Sequence, residues 1–523
     1  MTTEETINAW SDRFSDYLNP ILVKETRQAL KSRQFVVTFM LLLFVAWLIS
    51  AVGVLLAGGS IEYGSPGRSF VMFYTFILEF AVLLIVPFTA FRSMQIEREL
   101  ATFEMLNITT LKPRQIVWGK LSSALVQLFL FYSAIAPFVA FTSLLQGFDL
   151  PSTAFLLVAV LLWSVMACMV ALTLSTLGNN RQWQSLNMLG ILGALFCQMC
   201  LSFGFATAVM TEPMPFGDEE FWFAMLAVVI AAGSFFWLFQ QIAVSRLTFE
   251  SDNRSTGIRI ACSAQVGLYW LCVLLYWNYC HWTGGGFDED FLTVGLVLSA
   301  LHWTIVGLFA CFENDFISRR IRRGIPRSAF RRLLVAPWLP GGSRALVFYL
   351  AHMLLFGVIS LIVDFGTTGP NRPETIALLL YSVIYVTFGA GIGRLAQSIA
   401  PQIQPAHTRV LTVLVAGLAM LAPMIPLAVG LIDRPYGYYK FSLMDITNPV
   451  ATMEQLERHA DDYESQVAIF VLVVSALLGI LINLRSMIRG VLEIVFYKAP
   501  SAPVPVVDEV SEATEVFLPE AAG

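Results

Sequence analysis

Runs of about twenty consecutive apolar residues recur along this chain of 523, and no other feature limits its fold so tightly. A run of that length crosses the hydrocarbon core of a bilayer as a helix. Lipid offers the backbone no hydrogen-bond partners, so each run must pair its own N–H and C=O groups and is therefore helical. Twelve runs can be read, near residues 35 to 57, 70 to 91, 121 to 145, 154 to 177, 187 to 210, 221 to 244, 262 to 280, 291 to 311, 345 to 364, 375 to 393, 410 to 432 and 466 to 484. Composition closes off the water-soluble alternative. Hydrophobic residues make up 57% and charged residues 13%, with a mean hydropathy of +0.70, where an ordinary soluble domain carries roughly 25% charged residues. The 41 Phe and 12 Trp suit a lipid-facing chain with aromatic side chains at the interfaces. The expected fold is all-α, a polytopic integral membrane protein of about 12 transmembrane helices.

Lysine and arginine set the expected orientation, because cytoplasmic flanks hold the excess of positive charge. With the N-terminus inside, all but five of the 32 Lys and Arg fall on the cytoplasmic side. The exceptions are Arg68, Arg372, Arg434, Lys440 and Arg458, and the acidic clusters Asp218-Glu219-Glu220 and Asp288-Glu289-Asp290 share their side. One missed or invented span would invert every later loop and spoil this separation, so both termini are expected to be cytoplasmic. Met1 to Leu18 is polar, with no basic segment leading into a short apolar one, and no cleaved signal peptide is expected. The seven cysteines lie in or beside apolar runs and are expected to pack rather than to form disulfides.

By topology the chain divides into a cytoplasmic N-tail with an interfacial helix (1–34), a first six-span half (35–244) with a loop at 92–120, a second six-span half (245–484) with an Arg-rich loop at 312–344, and a cytoplasmic tail (485–523). That tail, from Lys498 rich in Pro, Val and Glu, has the composition of a disordered end.

Two polar segments carry information beyond topology. In Asn19 to Arg33, Asn19 can cap a helix and Pro20 suits its first position. On a helical wheel Lys24, Arg27 and Lys31 share one face, with Leu22, Val23, Ala29 and Leu30 opposite. An interfacial helix leading into the first span is expected, and a basic flank that only orients that span is an equal reading. In the inside loop after the second span, Ile96, Leu100 and Phe103 recur at helical spacing with charges opposite. A break follows at Asn107 to Thr110, and Pro113 stands where a new helix would begin. A short amphipathic helix held between two spans can press into the groove of a soluble partner. It can equally be a surface helix that merely joins the spans.

The run Glu97-Arg98-Glu99, Thr102, Glu104, Leu106, Thr109 or Thr110, Pro113, Arg114, Ile116 and Gly119-Lys120 resembles the coupling-helix segment of type-2 ABC exporter permeases. Upstream, Asn19-Pro20, Lys24-Glu25 and Arg33 are similar to the elbow helix of that family, at the expected distance before the first span. The resemblance covers about the first quarter of the chain. It departs from the family at Ala101, where Gly is usual, and at Lys112, where a Ser usually precedes the Pro. It implies an ATP-driven exporter in the inner membrane, whose permease is this chain. Glu97 to Thr110, Phe103 included, would dock on a cytoplasmic ABC ATPase dimer, which binds ATP and Mg and passes its closure to the spans as a rigid-body movement. This chain has no GxxxxGK[ST] phosphate loop, since Gly119-Lys120 has no glycine five residues before it and is followed by Leu121. No enzymatic activity, no cofactor and no nucleic-acid partner are expected of the chain itself.

The second six spans repeat the sense of the first, and their inside loop, Glu313 to Arg344, sits where the coupling loop sits in the first half. A monomer of two fused halves and a homodimer both stand as arrangements. The Arg cluster in that loop is equally read as positive-inside anchoring with anionic lipid contact. Glu79, mid-way through the second span, is by default a functional candidate, either lining a path or buried against a neighbouring helix. The span still inserts, because its fourteen Leu, Ile, Val and Phe, at about −0.4 kcal/mol each, outweigh a charge costing about 3 kcal/mol. Cys197 and Cys200 share a helix face, but no His or carboxylate stands near them, and His281, His302 and His352 are scattered, so no metal site is expected. The alternative from another class is an ATP-independent membrane protein, an ion-coupled carrier or a scaffold. A carrier calls for charge-bearing broken helices at the midplane, where Glu79 stands almost alone.

Overall fold

The structure is a computed structural model that describes residues 19–57, 66–99, 111–177, 181–212, 214–249, 251–283, 289–366, 373–399, 441 and 443–497. Among the described residues all regular structure is helical. The chain falls into two compact units, Met1–Glu250 with Arg254–Asp288, and Ser251–Asn253 with Glu289–Gly523. The division by packing comes after the seventh apolar helix, whereas the division by topology comes after the sixth.

In the first unit α1 (Pro20–Leu30) precedes α2 (Arg33–Ala57). The second span is one continuous helix in three parts: α3 (Pro66–Glu79), a π-helical segment (Phe80–Ile85) and α4 (Val86–Glu99). Then follow α5 (Pro113–Thr142), α6 (Leu150–Ser175), α7 (Arg181–Thr211), α8 (Glu219–Leu247) and α9 (Thr256–Thr283). The second unit has α10 (Glu289–Ala310), two short helices α11 (Arg319–Arg323) and α12 (Ala329–Val335), the long α13 (Gly342–Gly366) and α14 (Pro373–Ile399), and then α15 (Pro449–Arg458) and α16 (Tyr463–Val495).

Among the described residues ten helices are long and apolar enough to cross a membrane. The expected span at 291 to 311 is α10, with a shorter apolar stretch, Gly295–Ala310; the one at 410 to 432 lies outside the described residues. Several helices outrun their apolar cores. The second reaches Glu97 instead of stopping near 91, α5 begins at Pro113 rather than 121, and α16 continues to Val495. Headgroup-level water and polar side chains let a helix continue where the apolar run ends.

The second span explains its own π segment. Its buried residues recur every fourth position, at 70–71, 74–75, 78–79, 82–83, 86–87, 90–91 and 94–95, with Gly67 and Ala81 buried besides. A spacing of four overshoots the 3.6-residue turn of an α-helix by about 40° each time, so a straight α-helix would rotate this face off its neighbours. A π segment takes more residues per turn and recovers part of that drift. The face packs into the first unit's core, with Tyr74, Leu78, Val82 and Val86 against Leu121, Leu128, Leu156 and Val160. By contrast, Phe44, Trp47, Leu55 and Leu56 of α2 are exposed, as lipid-facing side chains are.

In the second unit, α14 packs closely on α16, where Gly479 leaves room for Thr387. Asn483 of α16, fully buried, donates to the carbonyls of Thr387 (2.9 Å) and Gly479 (2.8 Å). Hydroxyls link α10, α13 and α14, with Ser382 Oγ 2.6 Å from both Thr304 Oγ1 and Tyr349 Oη. The tightest turn is at the start of α13. Gly341 has φ +132°, a conformation side chains resist, and Gly342 donates its N–H to Glu313 O at 2.8 Å. A Cβ on Gly342 would stand 2.2 Å from the Cys311 carbonyl oxygen, which is backbone and cannot swing aside. Gly342→Val should therefore destabilise the second unit by about 1–3 kcal/mol. A lowered apparent midpoint of thermal unfolding in detergent is the expected readout, and an unchanged midpoint would contradict the packing described.

Candidate functional site

Three segments distant in sequence meet around one lysine of α5. Asn19 starts the assembly: its Oδ1 accepts from Ile21 N (3.0 Å), capping α1, while its Nδ2 donates to Gln115 O of α5 (2.6 Å). Pro20 occupies the first helical position. Pro113 opens α5, and Gln115 Oε1 accepts from Lys112 N (2.9 Å). Gly119 then lets α1 approach closely, since a Cβ there would lie 2.8 Å from Ile21 Cβ and 3.1 Å from Asn19 Nδ2.

That close approach buries Lys120. Its side chain is 2% exposed, and its ammonium lies 3.1 Å from Glu25 Oε1 of α1 and 3.1 Å from Glu97 Oε2 of α4, with Ser93 O at 3.5 Å. Lys24 adds an exposed flank 3.5 Å from Glu97 and 4.0 Å from Glu25. Two carboxylates and two ammonium groups balance in charge. A lysine out of water costs several kcal/mol unless it is paired and hydrogen-bonded, and here Lys120 donates to Glu25 Oε1 and the Ser93 carbonyl and is ion-paired with Glu97 as well. Lys24, mostly in water, contributes little. The result is a largely buried clasp joining α1, the end of α4 and the start of α5, at the base of the connection between 99 and 113.

Of the residues singled out from the sequence, the structure brings Asn19, Pro20, Lys24, Glu25, Glu97 and Lys120 together, with Pro113 starting the helix that carries the last. Arg27 and Arg33 are exposed and take no part. Thr102, Phe103, Glu104 and Leu106 lie outside the described residues, as do the side chains of Arg98 and Glu99. Ile21, Gln115 and Ser93 complete the clasp without having stood out; the only sequence signal for Ile21 was its place beside an Asn-Pro helix start.

Glu79 is a separate feature. It is fully buried at the start of the π segment, and its Oε1 accepts from Ser202 Oγ of α7 at 2.8 Å. The ring contact Phe76–Phe203 at 5.1 Å and the contact of Arg92 Nη1 with Met188 Sδ at 3.7 Å show α7 antiparallel to the second span. Thr75 therefore stands one turn to one side of Glu79, and Gln198 one turn to the other side of Ser202. Thr75 Oγ1, Glu79 Oε2 and Gln198 Nε2 are all buried without a hydrogen-bond partner, an uncommon concentration of unmet polar groups.

The second unit, taken by itself, also buries one cation at the start of a span. Arg344 of α13 is 0% exposed and donates to Pro340 O (2.6 Å from Nε), Asp315 O (2.9 Å) and Gly490 O (3.3 Å), with Glu493 3.6 Å from its Nη1. Arg332 of α12 donates to Val495 O (3.1 Å) and Tyr497 O, covering terminal carbonyls of α16. The Arg-rich loop is thus a folded cap rather than a plain basic flank. Among the described residues no three His, Cys, Asp or Glu side chains converge as a metal site would require, and Cys197 and Cys200 are exposed free thiols.

Fold and clasp together define a multi-pass α-helical membrane protein with a short amphipathic helix fastened to its second and third spans. No family model, curated protein or solved structure matches the chain.

Replacing Lys120 with Met leaves Glu25 and Glu97 facing each other without their buried cation. The variant should lose about 3–5 kcal/mol and free α1 from α5, seen as faster proteolysis near Ser32. The triple replacement K120M with E25Q and E97Q should recover most of that loss. Equal protease resistance of K120M and the parent would show that the clasp holds nothing.

Proposed function

We propose that this chain is the membrane-spanning permease of a type-2 ABC exporter, working in the inner membrane with an ATPase supplied by another polypeptide. In this reading both termini and the 99–113 connection are cytoplasmic, twelve spans make up the pore, and the connection docks on the ATPase. The observation that carries it is the Lys120 clasp. A force applied to the connection enters at Glu97 and at α5 and reaches α1 through Glu25, so three elements move together instead of one loop flexing. An amphipathic helix before the first span and the Asn19-Pro20, Lys24-Glu25 and Gly119-Lys120 positions of the resemblance also support it. The absence of a phosphate loop in the sequence calls for a partner to burn ATP. The transported substrate is left open, and the pore is either one chain of two fused halves or two copies.

The test is recovery of a cytoplasmic ABC ATPase with the detergent-purified protein. Glu97 serves the clasp, so the docking variant is Glu99→Ala with Glu104→Ala, which leaves the clasp intact. ATPase recovery should drop at least tenfold, which at 1.4 kcal/mol per factor of ten is a modest loss for two interfacial charges. Undiminished recovery would remove the docking assignment. A single cysteine placed at Lys112 should react with a membrane-impermeant maleimide in inverted vesicles and stay unlabelled in intact cells; the opposite pattern would reverse the topology.

A further inference from the structure

One end of the second unit carries a basic cleft that opens onto an apolar groove. The cleft, about 480 Å³, is lined by Asp315, Ser343, Arg394, Arg485, Arg489 and Glu493 among others. Its acids are already engaged. Asp315 accepts from Ser343 N (3.0 Å) and Ser343 Oγ (2.7 Å), and Glu493 faces Arg344 (3.6 Å) and Arg322 (3.7 Å). Its arginines are not. Among the described residues Arg485 and Arg489 have no hydrogen-bond or ion-pair partner and are exposed. Arg394 is held from behind by Asn483 Oδ1 (2.9 Å), itself anchored on two backbone carbonyls, and its Nη2 is buried with no partner. Three guanidinium groups with free donors thus line one cleft, and the geometry asks for an anion with several acceptor oxygens.

The groove says what else that anion carries. It measures about 750 Å³, shares Arg485, Arg489 and Glu493 with the cleft, and is otherwise lined by Leu481, Leu484, Ile488 and Leu492, all exposed along one side of α16. The helix has 33 residues, about 50 Å at 1.5 Å per residue, against a hydrocarbon core of about 30 Å. Its apolar run ends at Leu484 and the arginines follow at once, so they sit at headgroup depth with Leu481 and Leu484 below them and Ile488 and Leu492 level with or beyond them.

We propose that this is a binding site for an anionic glycerophospholipid. The phosphodiester lies among Arg394, Arg485 and Arg489, and one acyl chain runs away from them along Leu484 and Leu481. The site is independent of the export reading; the leaflet follows from the orientation given above.

The test uses the full chain in a neutral detergent. Added phosphatidylglycerol should raise the thermal midpoint saturably, while phosphatidylcholine and inorganic phosphate at equal concentration should not. In R485Q/R489Q the half-effect concentration should rise at least tenfold with the lipid-free midpoint unchanged, because both side chains are exposed and unpaired. In R319Q/R323Q, on α11 of the Arg-rich loop and outside the cleft, it should stay at the parent's value. Phosphatidylcholine acting like phosphatidylglycerol, or R485Q/R489Q retaining the full response, would overturn the proposal. Inorganic phosphate reproducing the shift would assign the cleft to a free anion instead. Should R485Q/R489Q fold poorly, L481S keeps every charge and takes its place: weaker phosphatidylglycerol binding is expected, and unaltered binding would overturn the acyl-chain seat.

Discussion

A charge that leaves water must be met by opposite charge and by hydrogen bonds at once, and that demand organises the first unit around Lys120. The ammonium is reached only because Gly119 has no side chain to hold Ile21 away, and Asn19 fixes the distance by spanning α1 and α5. Glu25 and Glu97 reach the ammonium from two different segments, α1 and α4. Removing any of these parts leaves a buried charge uncompensated, which makes the arrangement all-or-none. Where helices meet largely through apolar surface as slippery as lipid, such a polar contact helps fix which helix goes where.

Arg344 answers the same demand differently in the second unit. Carbonyl oxygens of Pro340, Asp315 and Gly490 do most of the work, with Glu493 at longer range. A planar guanidinium with five donors can be satisfied by backbone in this way, where a lysine needs compact acceptors. The choice of cation fits the surroundings: a turn of exposed carbonyls between Asp315 and Pro340 in one case, three helix ends in the other.

Local features were legible in the sequence. The apolar runs gave the spans, Asn19-Pro20 the start of α1, and Pro113 the start of α5, because each depends on neighbours within a turn or two. The clasp was only half legible. The resemblance drew attention to Lys24, Glu25, Glu97 and Lys120, but the pairing of Lys120 with Glu25 bridges 95 positions, and no periodicity reports that. Arg344, Arg394, Arg485 and Arg489 were counted together as positive flank. Their separation into one fully buried staple and three donors around a cleft depends on how α13, α14 and α16 pack, which a charge census does not see.

The π segment after Glu79 also bears on how such a span is drawn on paper. A wheel that advances by a constant angle assumes one pitch from Pro66 to Glu99. Here the pitch changes part-way, and the seven inward pairs drift less than a constant pitch would make them. Projected at a single angle, Tyr74 and Met94 land on different sides of the axis, and a membrane-buried face passes for one without polarity. The diagram is blind to a turn that brings part of the stripe back.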